Sequence, residues 1–474
     1  MTARVYNIFG LSYGDEGKGT TVESLVKKYD ATAVIRYNGG PQAAHHVVEN
    51  GHFHCFSQFG SGTLVPGVKT HLTEGMLVKP SNLLIEAEQL QRIGVSDALS
   101  RITISPNCYI VTPWHAMIGQ MLEAARGSLK HGSVGMGVGQ ASFDRTEQPD
   151  SSLTIRDLSS SSALWTKIQE HYRQKLAVAQ VILETSQSEE VISIFQTFLR
   201  GTSPVKLFRE YLEFAGALNG AFQSDEIIFD RLAKDKTIVL EGAQGVLLDP
   251  IIGFTPYVTK TRVLPSTANK IIESLGGLDS VVNIGVTRCF ATRHGAGPFV
   301  TSENLPHLEA GEHNQQNRWQ DSFRYGYFDL ITSRYSVKSS GEPVFLSVTC
   351  LDRFDGQNNL KVCRSYEYCG EEKDKLNHYF SCCVSNGRVE ITGIKHLPGI
   401  TQKQSEERTK MLLECKPLDF QEFEGWPQAR QKNTLHPNAK AFLKFLESDK
   451  GLGIPVAIAS VGNKSDDKLH LLDT

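Results

Sequence analysis

The chain opens with a short apolar strand that runs straight into a glycine-rich, charged loop, and few folds accept that order. Val5-Tyr6-Asn7-Ile8-Phe9 reads as a buried strand, and Gly10-Leu11-Ser12-Tyr13-Gly14-Asp15-Glu16-Gly17-Lys18-Gly19-Thr20 follows at once. Glycines at 14, 17 and 19 let backbone amides turn toward an anion with no Cβ in the way. Lys18 adds a point charge for phosphate, while Asp15 and Glu16 can hold Mg²⁺ or move a proton. The loop is not a Walker A sequence, because Ser12 and Gly19 stand where that motif needs glycine and Ser or Thr. Its plain structural alternative is a tight strand-to-helix turn with solvated charges.

Downstream, strand-like and helix-like runs alternate. Ala33-Val34-Ile35, Ile102-Thr103-Ile104, Thr237 to Leu240, Val281 to Val286, Val344 to Val348 and Pro455 to Ala459 read as buried strands. Pro80 to Gln91, Trp114 to Ala125, Ser266 to Leu275 and Asn438 to Leu446 carry helical spacing. The alternation predicts an α/β fold with a mainly parallel central sheet flanked by helices, P-loop-like at its first loop. Chemistry then belongs at the carboxyl ends of the strands. We expect residues 1–474 to form one domain, with a helical insertion near 160–235 and a small β-rich segment near 356–395.

Composition narrows the partners. The 474 residues carry a formal net charge of −3, mixed in sign, so no basic field predicts nucleic acid. No apolar run approaches the ~20 residues of a membrane span, and the N-terminus enters a strand without a leader-like stretch, which predicts a cytoplasmic protein. The nine cysteines are odd in number and scattered. Cys363, Cys369, Cys382 and Cys383 form the one cluster, and their spacing favours free thiols over a structural zinc.

Three further segments join the first loop: Arg36-Tyr37-Asn38-Gly39-Gly40-Pro41-Gln42-Ala43-Ala44-His45-His46, then Leu240-Glu241-Gly242-Ala243-Gln244-Gly245, then Ala291-Thr292-Arg293-His294-Gly295-Ala296-Gly297-Pro298-Phe299. In this order they resemble the adenylosuccinate synthetase family, which joins IMP to L-aspartate using GTP. The resemblance extends to Thr349-Cys350-Leu351-Asp352 and Ser460-Val461-Gly462. It implies Mg²⁺, GTP as co-substrate and a homodimer.

The same resemblance assigns roles. Asp15 becomes the base that takes the purine N1 proton and a Mg²⁺ ligand, with the Ala44 carbonyl as a second ligand. His45 becomes the donor to the transferred phosphoryl group, and Lys18 stands beside that group. GTP falls to Gly14, Glu16, Gly17, Gly19, Thr20, Ala44, His46, Cys350, Leu351, Asp352, Ser460, Val461 and Gly462, with Asp352 reading guanine. IMP falls to Asn38, Gln42, Ala43, Ser133, Val134, Gln244 and Thr259, and Arg145 is a candidate for added charge near its phosphate.

Several positions depart from the family pattern, among them Ala44 for a glycine whose carbonyl binds Mg²⁺, Val134 for a threonine and Met136 for an arginine. Cys350 replaces a base-stacking lysine, and His46 replaces a threonine. The stretch Asn314-Gln315-Gln316-Asn317-Arg318-Trp319-Gln320-Asp321-Ser322-Phe323-Arg324 replaces a run of arginines that binds the aspartate carboxylates. Arg318 and Arg324 are the cations left for the amino acid. Two other readings therefore stand beside IMP and aspartate: a paralogue that aminates another 6-oxopurine nucleotide such as (d)GMP or uses another amine, and a non-catalytic nucleotide-binding protein.

Overall fold

The computed structural model describes residues 4–49, 51–234, 237–275, 281–309, 319, 322–341, 343–385, 387–432 and 434–473. Arg318 and most of the amide-rich stretch around it lie outside the described residues.

Nine strands form the central sheet: β1 (Arg4–Gly10), β2 (Ala33–Arg36), β3 (Lys69–Leu72), β4 (Ile102–Ile104), β5 (Thr237–Gly245), β6 (Val281–Arg288), β7 (Phe345–Thr349), β8 (Val456–Ser460) and β9 (Lys468–His470). Their order is β9-β8-β7-β6-β1-β5-β2-β3-β4. Every neighbouring pair is parallel except β8 and β9. A parallel sheet covered on both faces needs near-continuous apolar strands. The predicted strands supply them: Tyr6, Ile8, Val34, Ile35, Ile238, Val239 and Ile284 are wholly buried. Each fully buried side chain of this kind contributes roughly 1.5–3 kcal/mol.

Helix α1 (Lys18–Lys28) follows the first loop, and its buried face of Val22, Leu25 and Val26 packs on the sheet. Helix α2 (Pro113–Arg126) starts from a Thr112–His115 capping box. Helix α3 (Val138–Glu147) starts at Gly137, held at φ 90°. The helical region continues as α4 (Ser161–Thr185), α5 (Glu189–Arg200) and α6 (Pro204–Ala217). A buried polar network ties it to the helices before it. His115 Nε2 bonds Asp144 at 2.8 Å, Lys175 Nζ reaches Asp144 at 2.6 Å, and Thr112 Oγ1 lies 3.2 Å from His171 Nε2.

Strands Asn359–Tyr368, Phe380–Ser385, Arg388–Ile394 and Cys415–Glu424 join Phe328–Asp329 in a second sheet. It runs past the segment expected near 356–395, because Cys415–Glu424 returns after the helix Gln402–Leu413 to pair with Asn359–Tyr368. No described helix is long and apolar enough to cross a membrane.

Candidate active site

The first loop lies at the carboxyl end of β1 and is pinned from inside by one of its own acids. Glu16 Oε1 accepts from the amides of Ser12 (3.0 Å) and Gly14 (2.9 Å), and its Oε2 takes Lys18 Nζ at 2.6 Å. A Cβ at Gly10 would stand 2.3 Å from that carboxylate, so the position requires glycine. Thr349 Oγ1 donates to the Glu16 carbonyl (2.6 Å), and Arg288 Nε to the Asp15 carbonyl (2.5 Å). Glu16 therefore shapes the loop from behind and does not line the cavity, whereas Asp15 and Lys18 do. The Asp15 carboxylate receives no hydrogen bond from any described residue. Burial raises its pKa, against the pull of Arg288 and Lys18.

A cavity of about 980 Å³ opens above this loop. His45 enters it from the strand His45–Glu49 and bonds Glu241 Oε1 through Nδ1 at 2.5 Å. Glu241 is fully buried in β5 and also accepts from the amide (2.9 Å) and hydroxyl of Ser61. Burial pushes the Glu241 carboxyl up, but Arg36 and His45 outweigh it and hold the group at about 2. The carboxylate thus accepts a hydrogen bond from Nδ1–H and orients the ring, leaving Nε2 for the chemistry, where it donates when the imidazole is protonated. Burial lowers the His45 pKa, and Glu241 works against that fall. The role of Glu241 was not read from the sequence; an acid inside an otherwise apolar strand was the signal.

The remaining expected residues divide by position. Gly14, Gly17, Gly19, Thr20, Ala44 and His46 line the cavity, as do Gln42, Ala43, Ser133, Val134, Gln244 and Thr259. Ala44 is not among the residues held at positive φ, so the exchange of glycine for alanine strains no backbone there. Both amide atoms of Gln42 are buried without a hydrogen-bond partner among the described residues, as suits a ligand contact. Asn38 faces elsewhere: its amide accepts from the Ala243 amide (2.8 Å) and donates to the Arg262 carbonyl (3.1 Å). In the glycine loop at 131–139, Glu123 accepts from the amides of His131 (3.0 Å) and Gly132 (3.2 Å).

Cys350, Asp352, Ser460 and Gly462 line the end of the cavity formed by β7 and β8. Leu351 is buried in the core, and Val461 packs against that core, so both shape this end without lining it. Burial raises the Asp352 pKa, while Arg353 and Lys468 oppose the rise.

Two expected cations stand off the cavity wall. Arg324 donates to the carbonyls of Gly295 (2.6 Å) and Gly297 (3.1 Å) and lies 5.3 Å from the centre of the Phe299 ring. Its pKa falls to about 10 through burial and the nearby Arg293. The guanidinium serves the 294–298 turn, which sequence spacing could not reveal. Arg145 is held near the Gly75 carbonyl (3.3 Å) and over Tyr109. Arg288 and His294 do line the cavity and act electrostatically on Asp15.

The adenylosuccinate synthetase family model matches residues 7–469. The chain belongs to the adenylosuccinate synthetase family. Family members are C–N ligases that convert IMP and aspartate to adenylosuccinate with GTP. The Cyanothece sp. adenylosuccinate synthetase is 30% identical over 471 residues, covering 96% of this chain and 92% of that protein. The fully ligated Plasmodium falciparum adenylosuccinate synthetase has the same fold, with a TM-score of 0.77, 19% identity, and coverage of 99% of this chain and 100% of that one. Cyanophage S-2L succinoaminodeoxyadenylate synthetase, solved with dGMP and dATP, is more distant at TM-score 0.57 and 14% identity, covering 100% and 97%.

Proposed function

We propose that this synthetase makes adenylosuccinate from IMP and L-aspartate with GTP and Mg²⁺. The observation that carries this reading is the convergence of Asp15, Lys18 and the Glu241-held His45 on one cavity. A purine 6-oxygen leaves poorly and must first be activated. Asp15, whose carboxylate accepts no hydrogen bond from any described residue, takes the N1 proton in its ionised form, so that O6 attacks the γ-phosphorus of GTP and GDP departs. His45 and Lys18 meet the charge that builds on the phosphoryl oxygens. The aspartate amine then attacks C6, and phosphate leaves with O6.

The Asp15 carboxylate and the Ala44 carbonyl fit a hard cation, since both are oxygen donors on the cavity wall. Held by Asp15 and the Ala44 carbonyl, Mg²⁺ would supply positive charge to offset the negative charge of the phosphates. Gln42, Gln244, Ser133 and Thr259 hold the nucleotide, and Asp352 accepts from guanine N1–H and N2–H₂ together. A cytoplasmic homodimer remains the expected setting.

A second reading, an uncharged or singly charged amine in place of aspartate, draws support from Arg324, whose guanidinium is committed to two backbone carbonyls. The deciding assay incubates the protein with GTP, Mg²⁺ and IMP against L-aspartate and a panel of other amines, with (d)GMP as alternative acceptor. Adenylosuccinate is the expected product. Product with an uncharged amine and none with aspartate would refute the proposal.

A further inference from the structure

Beside Thr259 on the cavity wall stands a lysine that the reaction above does not use. Lys260 lies between Thr259 and Thr261, whose hydroxyls are 3.3 Å apart, and Thr261 Oγ1 donates to Gln244 Oε1 at 3.3 Å. Ser142 Oγ of α3 donates to the Lys260 carbonyl at 2.9 Å, which fixes this segment against the helix. A Cβ at Gly139, the second residue of α3, would stand 3.5 Å from Lys260 Cγ, so the stem of the side chain packs over the first turn. The other lysines and arginines on the wall, among the described residues, are drawn elsewhere. Lys18 bonds Glu16 and Arg126 bonds Glu123, each at 2.6 Å. Arg288 holds the Asp15 carbonyl (2.5 Å), Arg353 the Leu308 carbonyl, and Arg293 the carbonyls of Ala296, Pro298 and Tyr257. The Lys260 ammonium makes no hydrogen bond or ion pair to any described residue, and it lines the same cavity.

We propose that Lys260 is the cation that binds the 5′-phosphate of the acceptor nucleotide. This rests on the reading of the substrate as a purine nucleotide held by Ser133, Gln244 and Thr259. Asp15 works on the purine, so the phosphate, at the other end of the nucleotide, falls to elements other than the first loop. The segment 259–261 and the start of α3 are such elements, and both border the cavity. A phosphate oxygen is met best by a charged donor, and an ammonium brings three N–H groups on a flexible stem. The first turn of α3 has no side-chain cap, so its amides add to the field that Lys260 sets up. Arg145, the cation that spacing favoured for this task, is instead held at the Gly75 carbonyl and over Tyr109.

The test measures calorimetric binding of IMP and of inosine, which lacks the phosphate, to the wild type, Lys260→Met, Lys260→Arg and Arg145→Met. Lys260 is exposed, so its replacement leaves the core intact. We expect the wild type to bind IMP more tightly than inosine, and Lys260→Met to lower the IMP:inosine affinity ratio about tenfold or more. Inosine affinity and the KM for GTP should stay at their wild-type values in that variant. Lys260→Arg should hold most of the ratio, and Arg145→Met all of it. An unchanged ratio in Lys260→Met overturns the proposal, as does an equal loss of IMP and inosine binding. A ratio that falls in Arg145→Met and not in Lys260→Met moves the charge to Arg145 and overturns it too. A wild type that binds inosine as tightly as IMP refutes the phosphate contact itself. Failure of the wild type to form adenylosuccinate would instead refute the reaction proposed above, while the binding ratio still decides the role of Lys260.

Discussion

Replacing Glu241 by glutamine keeps the shape of a fully buried side chain and removes its charge. In the wild type this carboxylate accepts three hydrogen bonds, from His45 Nδ1 at 2.5 Å, from the Ser61 amide at 2.9 Å and from the Ser61 hydroxyl. A carboxamide has one acceptor oxygen and turns an N–H toward at least one of those donors. His45 then either loses its partner or changes tautomer. A hydrogen bond to a charged group contributes about 1.5–3 kcal/mol, so kcat should fall about 10- to 150-fold. The charge also supports protonated His45 against burial. Where His45 acts as the proton-bearing donor, activity falls as pH rises through its pKa. Glu241→Gln lowers that pKa, so the alkaline limb of the kcat–pH profile should move to lower pH. Glu241→Asp, which keeps the charge, should leave the limb nearer its wild-type place while still lowering kcat. Arg36 loses its counter-charge in the glutamine variant, so the melting temperature should drop as well. A folded Glu241→Gln enzyme with wild-type kcat and an unmoved alkaline limb would refute the dyad.

Asp15→Asn should abolish turnover in a folded protein, with a loss of at least about 10²–10⁴ in rate; because burial raises the Asp15 pKa, the wild-type acid limb should lie above the ordinary aspartate range in a steady-state pH profile. Arg324→Lys should cost about 1–3 kcal/mol of stability through the carbonyls of Gly295 and Gly297, read as a lower melting temperature with little selective change in the amino-acid KM. Glu23 is buried, its oxygens lack hydrogen-bond partners among the described residues, and burial raises its pKa from 4.5 to about 8. A raised carboxyl contributes stability that is fully present below pH 4.5 and is lost as pH rises through about 8. Glu23→Gln lacks that loss, so thermal melts should show its advantage over wild type growing between those limits.

The central sheet was legible because a doubly covered parallel strand announces itself as a run of Val and Ile, and each run read as a buried strand has its counterpart there. Asp15, Lys18 and His45 reach one cavity because the loops bearing them follow strands β1 and β2, neighbours across β5. Side-chain commitments were less legible. The family resemblance assigns Glu16 and Arg324 to ligands, yet each bonds within its own turn, and only three-dimensional packing brings Arg324 to the carbonyls of Gly295 and Gly297. Glu241 shows the reverse: an acid in an apolar strand is a visible signal, but its partners, His45 and Ser61, lie far away in sequence and could be named only once the strands were assembled.

The bond between Asp144 and Lys175 bears on how such a chain can change over evolutionary time. Asp144 belongs to the helix that leaves the glycine loop, and Lys175 to the helical region beyond it. Excising that region would leave a buried carboxylate with His115 as its remaining hydrogen-bond partner, and losing one member of a buried ion pair costs about 3–5 kcal/mol. That is a large fraction of the net stability of an ordinary domain. A lineage carrying both residues can therefore shed the helices only after position 144 has first become neutral. The accessory layer is entrenched, retained through the history of one side chain whether or not it still serves the reaction.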